Sequence, residues 1–357
     1  MKKKLRIGII GCGGIAHGTH IPGYSKIPDD AEVYAICDIR DDRLEWTGNR
    51  CNIPEERRFK DYHDLLASGL VDAVDICTPN NVHCEIAHAA INAGLPFSVE
   101  KPIGLDFAEA DKLCKAVIET NTPSFVCFSW RYNTYARFVR DIIVSGHLGK
   151  IYHIFVRCIK DSGLWENRPL EWRFDKNLAG TGVLGDLGSH MIDVIRFWGE
   201  EFDGVFAQRG IEIKQRKRVD SDEIAEVTTD DWCNVNAMSK NGVPITITVS
   251  RIAKTISELI EFEVIGEKGR IKFTSKAGKF DIEICAGEID TKANGTHHIV
   301  PPASYEGNQS KSFIDMLNGH KDQYTSELVE GMECQKVLEA AVISADEKRY
   351  VKIDEIK

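Results

Sequence analysis

"LRIGIIGCGGIA", residues 5–16, is the stretch on which the fold turns. Its first six residues form a near-continuous apolar run, the pattern of a strand buried on both faces of a parallel sheet. The run enters the glycine cluster without a spacer. Gly11 permits a tight turn, Gly13 lets the backbone approach a pyrophosphate, and Ala16 is small enough for a following helix to pack on the strand. Amide groups at the start of that helix face anionic charge. The loop Gly11-Cys12-Gly13-Gly14-Ile15 is therefore expected to cradle a dinucleotide. Glycine-rich turns are common, and the strand before and helix after give this one its meaning.

The next apolar run, "VYAIC" (33–37), ends in Asp38, 22 residues past Ala16. A dinucleotide-binding unit places there the acid that holds the adenosine ribose hydroxyls. A carboxylate at this point repels a 2′-phosphate, which favours NAD over NADP. Arg40 and Arg43 follow closely and soften that preference, so NADP stays open. The alternative is an Asp that only caps the helix beginning near 41.

The alternation continues through strand runs at 73–79, 96–102 and 124–130 and helical patterns at 83–94 and 106–120. It predicts a doubly wound parallel sheet with helices on both faces. Ligands of such sheets sit beyond the carboxyl ends of the strands. Gly11, Asp38, Thr78-Pro79-Asn80 and Glu100-Lys101-Pro102 all fall at those ends. Four strand ends facing one crevice weigh more than any single motif.

After residue 150 the rhythm changes. Apolar or alternating runs recur at 151–159, 203–213, 231–239, 243–252, 258–265, 270–274 and 279–285, with few helices between them. They predict a large, mostly antiparallel open sheet in an α+β domain. Helices are expected near 308–319 and 326–346. The expected division is a dinucleotide-binding domain over 1–125 and a substrate-binding and oligomerisation domain over 126–357. One face of such a sheet needs covering, so a homodimer or homotetramer built on it is expected.

The bulk properties agree. At roughly 100–200 residues per domain, 357 residues suggest two domains. A net charge of −10 argues against nucleic acid as a partner. The basic run "KQRKR" (214–218) is followed by acids and reads as a solvated strand end or loop. No stretch approaches the roughly 18 apolar residues of a membrane span. Arg6 leaves the N-terminal apolar run shorter than the roughly 7–15 residues of a signal-peptide core. Eleven cysteines without a CxxC pair read as reduced thiols, and the expected location is the cytoplasm. Cys84 and His88 are spaced like metal ligands, but no second pair completes a set, and no metal is expected.

The second chemical cluster is "AGTGVLGDLGSHMID" (179–193). Leu187, Met191, Val194, Ile195 and Trp198 make a buried helical stripe. Asp186, His190 and Asp193 make a polar stripe beside it. A capped helix start with a half-buried histidine would explain the polar residues. The glycines at 180, 182, 185 and 188 suggest instead that a ligand approaches closely. Asp193 is read as structural.

"GCGGIA", "TPNNVH", "EKPIGLD", "EWRF" and "AGTGVLGDLGSHMID", in that order, resemble the Gfo/Idh/MocA family, named for glucose–fructose oxidoreductase, inositol dehydrogenase and a rhizopine-catabolism protein. The closing "AVISADEKRYVKI" looks like the family's end, so the resemblance covers nearly the whole chain. It implies a tightly held NAD(P) and oxidation of a ring hydroxyl on a sugar or cyclic polyol. The family's catalytic lysine maps onto Lys101, and its Asp and His onto Asp186 and His190. Trp172 and Arg173 match a pair near the nicotinamide, and Asn80 and His83 match a segment lining the cofactor crevice. Arg131 and Asn133 sit where members shape the substrate pocket.

Removing hydride from a carbon requires its hydroxyl to lose a proton. An imidazole titrates near neutrality, which suits His190 as base. Asp186 can hold the substrate or stabilise the imidazolium, and Lys101 can donate to the developing alkoxide or relay the proton. Two other readings share the scaffold: an NAD-assisted, redox-neutral glycosidase, and a non-catalytic dinucleotide sensor. Retention of both Lys101 and His190 disfavours the sensor.

Overall fold

The computed structural model describes residues 3–165, 167–286 and 296–357. The chain forms two compact units, Met1–Phe128 with Asn308–Met332, and Ser129–Gly307 with Glu333–Lys357.

The first unit holds six parallel strands: β1 (Leu5–Ile10), β2 (Ala31–Cys37), β3 (Arg58–Phe59), β4 (Ala73–Ile76), β5 (Phe97–Val99) and β6 (Ser124–Val126). Their order is β3-β2-β1-β4-β5-β6, so the chain reverses direction across the sheet between β1 and β4. Ile7, Ile9, Ile36, Val74, Phe97 and Val99 are fully buried, as the unbroken apolar runs require. The two-residue β3 carries no pattern that a sequence reading can detect.

Residues 308–332 were expected in the second domain, yet they pack with the first unit. The cause lies at β6, the edge of the sheet. The Val126 amide donates to the Ser326 carbonyl at 2.9 Å, and Phe125 bridges to Glu327. Phe313, on the helix Gln309–Leu317, lies with its ring 5.7 Å from that of Phe125. An open edge is thus paired and covered.

The second unit is built on a nine-stranded sheet and a separate two-stranded ribbon. Its strands are β7 (Ile151–Lys160), β8 (Phe202–Gly210), the hairpin β9 (Gln215–Lys217) and β10 (Ile224–Glu226), β11 (Trp232–Ser239), β12 (Pro244–Ser250), β13 (Glu258–Gly266), β14 (Gly269–Lys276), β15 (Lys279–Ala286), β16 (His297–His298) and β17 (Val351–Lys352). The order of the large sheet is β16-β15-β14-β13-β7-β12-β11-β8-β17, and β9–β10 form a separate ribbon. All neighbours are antiparallel except β7 and β12, so the sheet is mixed as well as mostly antiparallel. The "KQRKR" run lies largely in β9, as a strand rather than a loop.

Alternation divides the sheet cleanly. Ile154, Val156, Ile260, Phe262, Val264 and Phe273 are buried on the helix side. Trp198 meets Phe262 edge-on at 5.0 Å beneath the helix Ser189–Phe197. Phe155 and Met238 lie on the other face, each 38% exposed. No helix among the described residues is long and apolar enough to cross a membrane.

Candidate active site

In the first unit the glycine loop leaves β1 as expected. Gly11 has φ +97°, and a Cβ there would stand 2.7 Å from the Cys77 carbonyl oxygen, so no side chain fits. The chain then enters a π-helical turn, Ala16–His20, and a short helix. Asp38, buried at the end of β2, accepts the Cys12 amide at 2.8 Å and the Arg40 amide at 2.9 Å. Its carboxylate thereby fixes the glycine loop, a role beyond the cap the sequence allowed. Arg43 approaches it at 3.8 Å, while Arg40 is paired with the exposed Asp42.

Gly11, Gly13, Asp38, Thr78 and Pro79 line one cavity of about 300 Å³. The Thr78 hydroxyl faces this region buried and without a hydrogen-bond partner. A glycine cradle, an acid at the next strand end and an unanswered buried donor fit the adenosine and pyrophosphate portions of a dinucleotide. Lys60, Tyr62, Asn81 and Val82 line the same cavity and were missed. Only the three-dimensional path of the chain brings them there.

Asn80 and His83 are buried behind that wall. The His83 ring nitrogens lie 2.9 Å from the Thr78 and the Pro102 carbonyl oxygens, and the single N–H of the neutral ring donates to one of the two at a time. Burial pulls its pKa below the ordinary imidazole value. The Lys101–Pro102 peptide is cis. Glu100 turns its carboxylate inward to His20, and its second oxygen accepts the Lys101 amide at 3.2 Å. Burial pushes the Cys12, Cys37 and Cys77 thiols up to about 12, which leaves none as a nucleophilic thiolate at neutral pH.

In the second unit, Asp186 lies on a π-helical turn, Leu184–Gly188, that runs straight into the helix bearing His190. Both side chains are half-buried. The turn is held from a distance by Asp230, whose carboxylate accepts the Gly182 and Leu184 amides at 2.8 Å each. A Cβ on Gly182 would stand 2.1 Å from the Asp230 carbonyl oxygen. The glycine therefore admits the protein's own backbone, which corrects the expectation that a ligand explains it.

Asp186 and Arg173 share a cavity of about 290 Å³ with Lys160, Arg251 and Glu258. Lys160 bonds Glu258 at 2.8 Å. Burial alone would lower its pKa, but the Glu258 bond and the charge of Asp186 raise it, so the ammonium persists. Arg173 stacks on Trp172 with its guanidinium carbon 4.3 Å from the ring centre. The cavity thus sets several hydrogen-bond donors beside the carboxylates of Asp186 and Glu258, a polyol-binding chemistry. Arg131 and Asn133, expected at the substrate, have other tasks. Arg131 is clamped to the buried Asp193, and Asn133 caps the helix Thr134–Val144 through the Tyr135 amide at 2.9 Å.

Comparison with known proteins settles the lineage. Residues 5–128 match the oxidoreductase family with an NAD-binding Rossmann fold, and residues 136–272 match the GFO/IDH/MocA C-terminal domain. The chain belongs to the Gfo/Idh/MocA family. This Gfo/Idh/MocA protein is 28% identical to myo-inositol 2-dehydrogenase of Thermotoga maritima, over 99% of each chain. It is 27% identical to levoglucosan dehydrogenase of Pseudarthrobacter phenanthrenivorans, over 85% of this chain and 82% of the relative. A levoglucosan dehydrogenase solved in complex with NADH superposes with a TM-score of 0.90 at 23% identity, covering 98% and 99% of the two chains. The family assignment makes the protein an NAD-dependent oxidoreductase acting on CH–OH groups.

Proposed function

We propose that the protein transfers hydride between a ring hydroxyl of a sugar, glycoside or inositol-like cyclitol and NAD, with Lys101, Asp186 and His190 handling the hydroxyl proton. The observation that carries the reading is the cavity of Asp186, Arg173 and Lys160, which is rich in charged hydrogen-bonding groups suited to a polyhydroxylated ring. Named relatives that oxidise levoglucosan and myo-inositol support the substrate class.

Bound NAD supplies the hydride acceptor. The glycine loop and Thr78 would hold its phosphates and Asp38 its ribose, and the segments Thr78–Asn80 and Glu100–Pro102 with Trp172 and Arg173 would orient the nicotinamide end. His190 takes the hydroxyl proton as the C–H bond weakens. Asp186 stabilises the imidazolium that results. Lys101 donates to the oxygen as negative charge develops there. The domain roles follow, with 1–125 binding the dinucleotide and the sheet domain presenting the substrate.

We also place the enzyme in the cytoplasm, where its eleven free thiols remain reduced. The open face of the large sheet, with Phe155 stacked on His153 at 3.8 Å and Met238 exposed, is proposed to be covered by a second copy. Light scattering at the mass of one chain would contradict that assembly. The function itself is tested by a panel of hexoses, anhydrosugars, glycosides and cyclitols assayed at 340 nm with NAD and with NADP. Sustained NADH formation with one class supports it. Hydrolysis of a glycoside without net NADH would replace it with the redox-neutral alternative.

A further inference from the structure

Beneath the carboxyl ends of β4 and β5 lies a charged group that the proposed mechanism does not use. His20, at the end of the π-helical turn, places Nδ1 2.7 Å from the Asp75 carboxylate and Nε2 2.8 Å from that of Glu100. His20 and Asp75 are each 1% exposed, and Glu100 is 7% exposed. The three come from three separate elements of the first unit. We propose that Asp75, His20 and Glu100 form a buried carboxylate–imidazolium–carboxylate chain that acts as a positioning device for Lys101. The inference rests on the reading of Lys101 as a group that touches the reacting hydroxyl.

The hydrogen-bond inventory favours a charged ring. A neutral imidazole has one N–H, yet both nitrogens face carboxylate oxygens. Asp75 accepts two further hydrogen bonds, from the Ser98 hydroxyl and from the Tyr24 hydroxyl at 3.1 Å. The other groups facing the ring are the thiols of Cys77 and Cys127, both buried and protonated. Burial alone would lower the His20 pKa, but the charge and hydrogen bond of Asp75 raise it well above the ordinary value.

Stability does not account for such a group. Buried ion pairs and triads rarely stabilise a fold more than well-packed apolar residues of the same volume would. The sheet neighbours on the same face as Asp75 and Ser98 are apolar already, with Ile9 and Phe125 fully buried. What the chain adds is direction. Its outer end is the Glu100 oxygen that accepts the Lys101 amide at 3.2 Å. The next carbonyl, that of Pro102, is held by His83 at 2.9 Å, and the Ile103 carbonyl accepts from the Cys84 thiol at 3.1 Å. Lys101 is thus fixed on both sides of its own Cα, with the glycine-loop helix, β4 and the end of β5 tied into one reference frame. His20, Asp75 and Cys127 also bring donor atoms within 4.8 Å of one another, as a metal site would. Both imidazole nitrogens are already committed to carboxylates, which favours the hydrogen-bond chain.

The test uses the full-length enzyme with NAD and its best sugar substrate. His20→Gln and Glu100→Gln are expected to lower kcat roughly 10- to 100-fold, the cost of misplacing a reacting group by about an ångström. In His20→Gln, which lies outside the proposed cofactor and substrate contacts, KM for the sugar and the Kd for NAD should stay within about threefold. The double variant should be no slower than the worse single one, because both act through one chain. Nitrogen-resolved NMR of the unaltered apo-protein should show His20 with both ring nitrogens protonated at pH 7.5, a readout independent of turnover and of how the variants fold. A neutral His20 ring, stoichiometric metal in the purified protein, or single variants with the parent kcat while Lys101→Ala is inactive would overturn the proposal alone. An active Lys101→Ala would overturn the assignment of Lys101 and this inference with it.

Discussion

The Arg131 guanidinium grips the Asp193 carboxylate, with Nε 2.9 Å from both oxygens and Nη2 2.6 Å from one, in a pocket where Asp193 is fully buried. Removing one partner of such a pair leaves the other charge buried and unanswered, which costs about 3–5 kcal/mol. Asp193→Ala should therefore lower the denaturant midpoint sharply. Arg131→Met with Asp193→Leu, which removes both charges, should recover most of the loss. Chemical unfolding of the three proteins checks this. A stable Asp193→Ala protein would show that the pair carries no such weight.

Gly182 and Asp230 form a second fixed point. A methyl group at Gly182 would overlap the Asp230 backbone, which cannot swing aside as a side chain can. Gly182→Ala should displace the turn that bears Asp186 and cost about 1–3 kcal/mol, as overpacking usually does. The decisive readout is joint: kcat should fall in the protein that remains folded. A destabilised variant with unchanged turnover would separate the loop from the chemistry.

Asp72 ties the N-terminal strand down through Arg6 at 3.1 Å and Lys3 at 2.7 Å. Burial pulls its pKa upward, but the bonds to Arg6 and Lys3 prevail and hold the carboxyl well below the usual range. A depressed folded-state pKa stabilises the protein above the unfolded value, near 3.9, and the contribution disappears as pH falls through the folded one. The stability gap between the parent and Asp72→Asn should be flat from about pH 5 to 8 and should close below about pH 4. Thermal melts across that range test it, and a gap that widens on acidification would reverse the sign of the argument.

Much of this arrangement is legible in the sequence wherever it depends on local pattern. The apolar runs give the longer strands of both sheets, and the glycine loop with Asp38 gives the proposed cofactor cradle. What escapes depends on distant partners. Asp75 interrupts the apolar "AVDI" of β4, a buried carboxylate in a core strand, and that was the available signal for the His20–Glu100 chain. Asp230 holds Gly182 across 48 residues, and no spacing rule reveals such a pair. Arg131 and Asn133 were assigned to the substrate pocket from the family resemblance, which does not reveal the ion pair to Asp193 and the helix cap that their side chains also make.

Asp38 is also proposed to set the choice between dinucleotides. Its carboxylate holds the Cys12 amide and draws Arg43 to 3.8 Å. Asp38→Asn keeps an acceptor for that amide, removes the charge that repels a 2′-phosphate, and frees Arg43 to meet one. The ratio of kcat/KM for NADP to that for NAD should rise about tenfold, equivalent to about 1.4 kcal/mol. An unchanged ratio would place the discrimination elsewhere.

The two proposed proton-handling groups differ in what their loss should do. In the proposed mechanism Lys101 acts on the oxygen where charge develops, and His190 accepts the proton that leaves it. Neither is proposed to hold the adenosine portion of NAD, so Lys101→Ala and His190→Ala should each lower kcat by roughly 100- to 10,000-fold while the Kd for NAD, followed by fluorescence titration, moves little. Lys101→Arg keeps the charge but not the compact ammonium, and should recover only a small part of the loss. If His190 is the base, the acidic limb of the kcat/KM profile of the parent follows the free imidazole, and that limb should flatten in His190→Ala. A His190→Ala enzyme that keeps full turnover, or one that keeps the acidic limb unchanged, would assign the proton to another group.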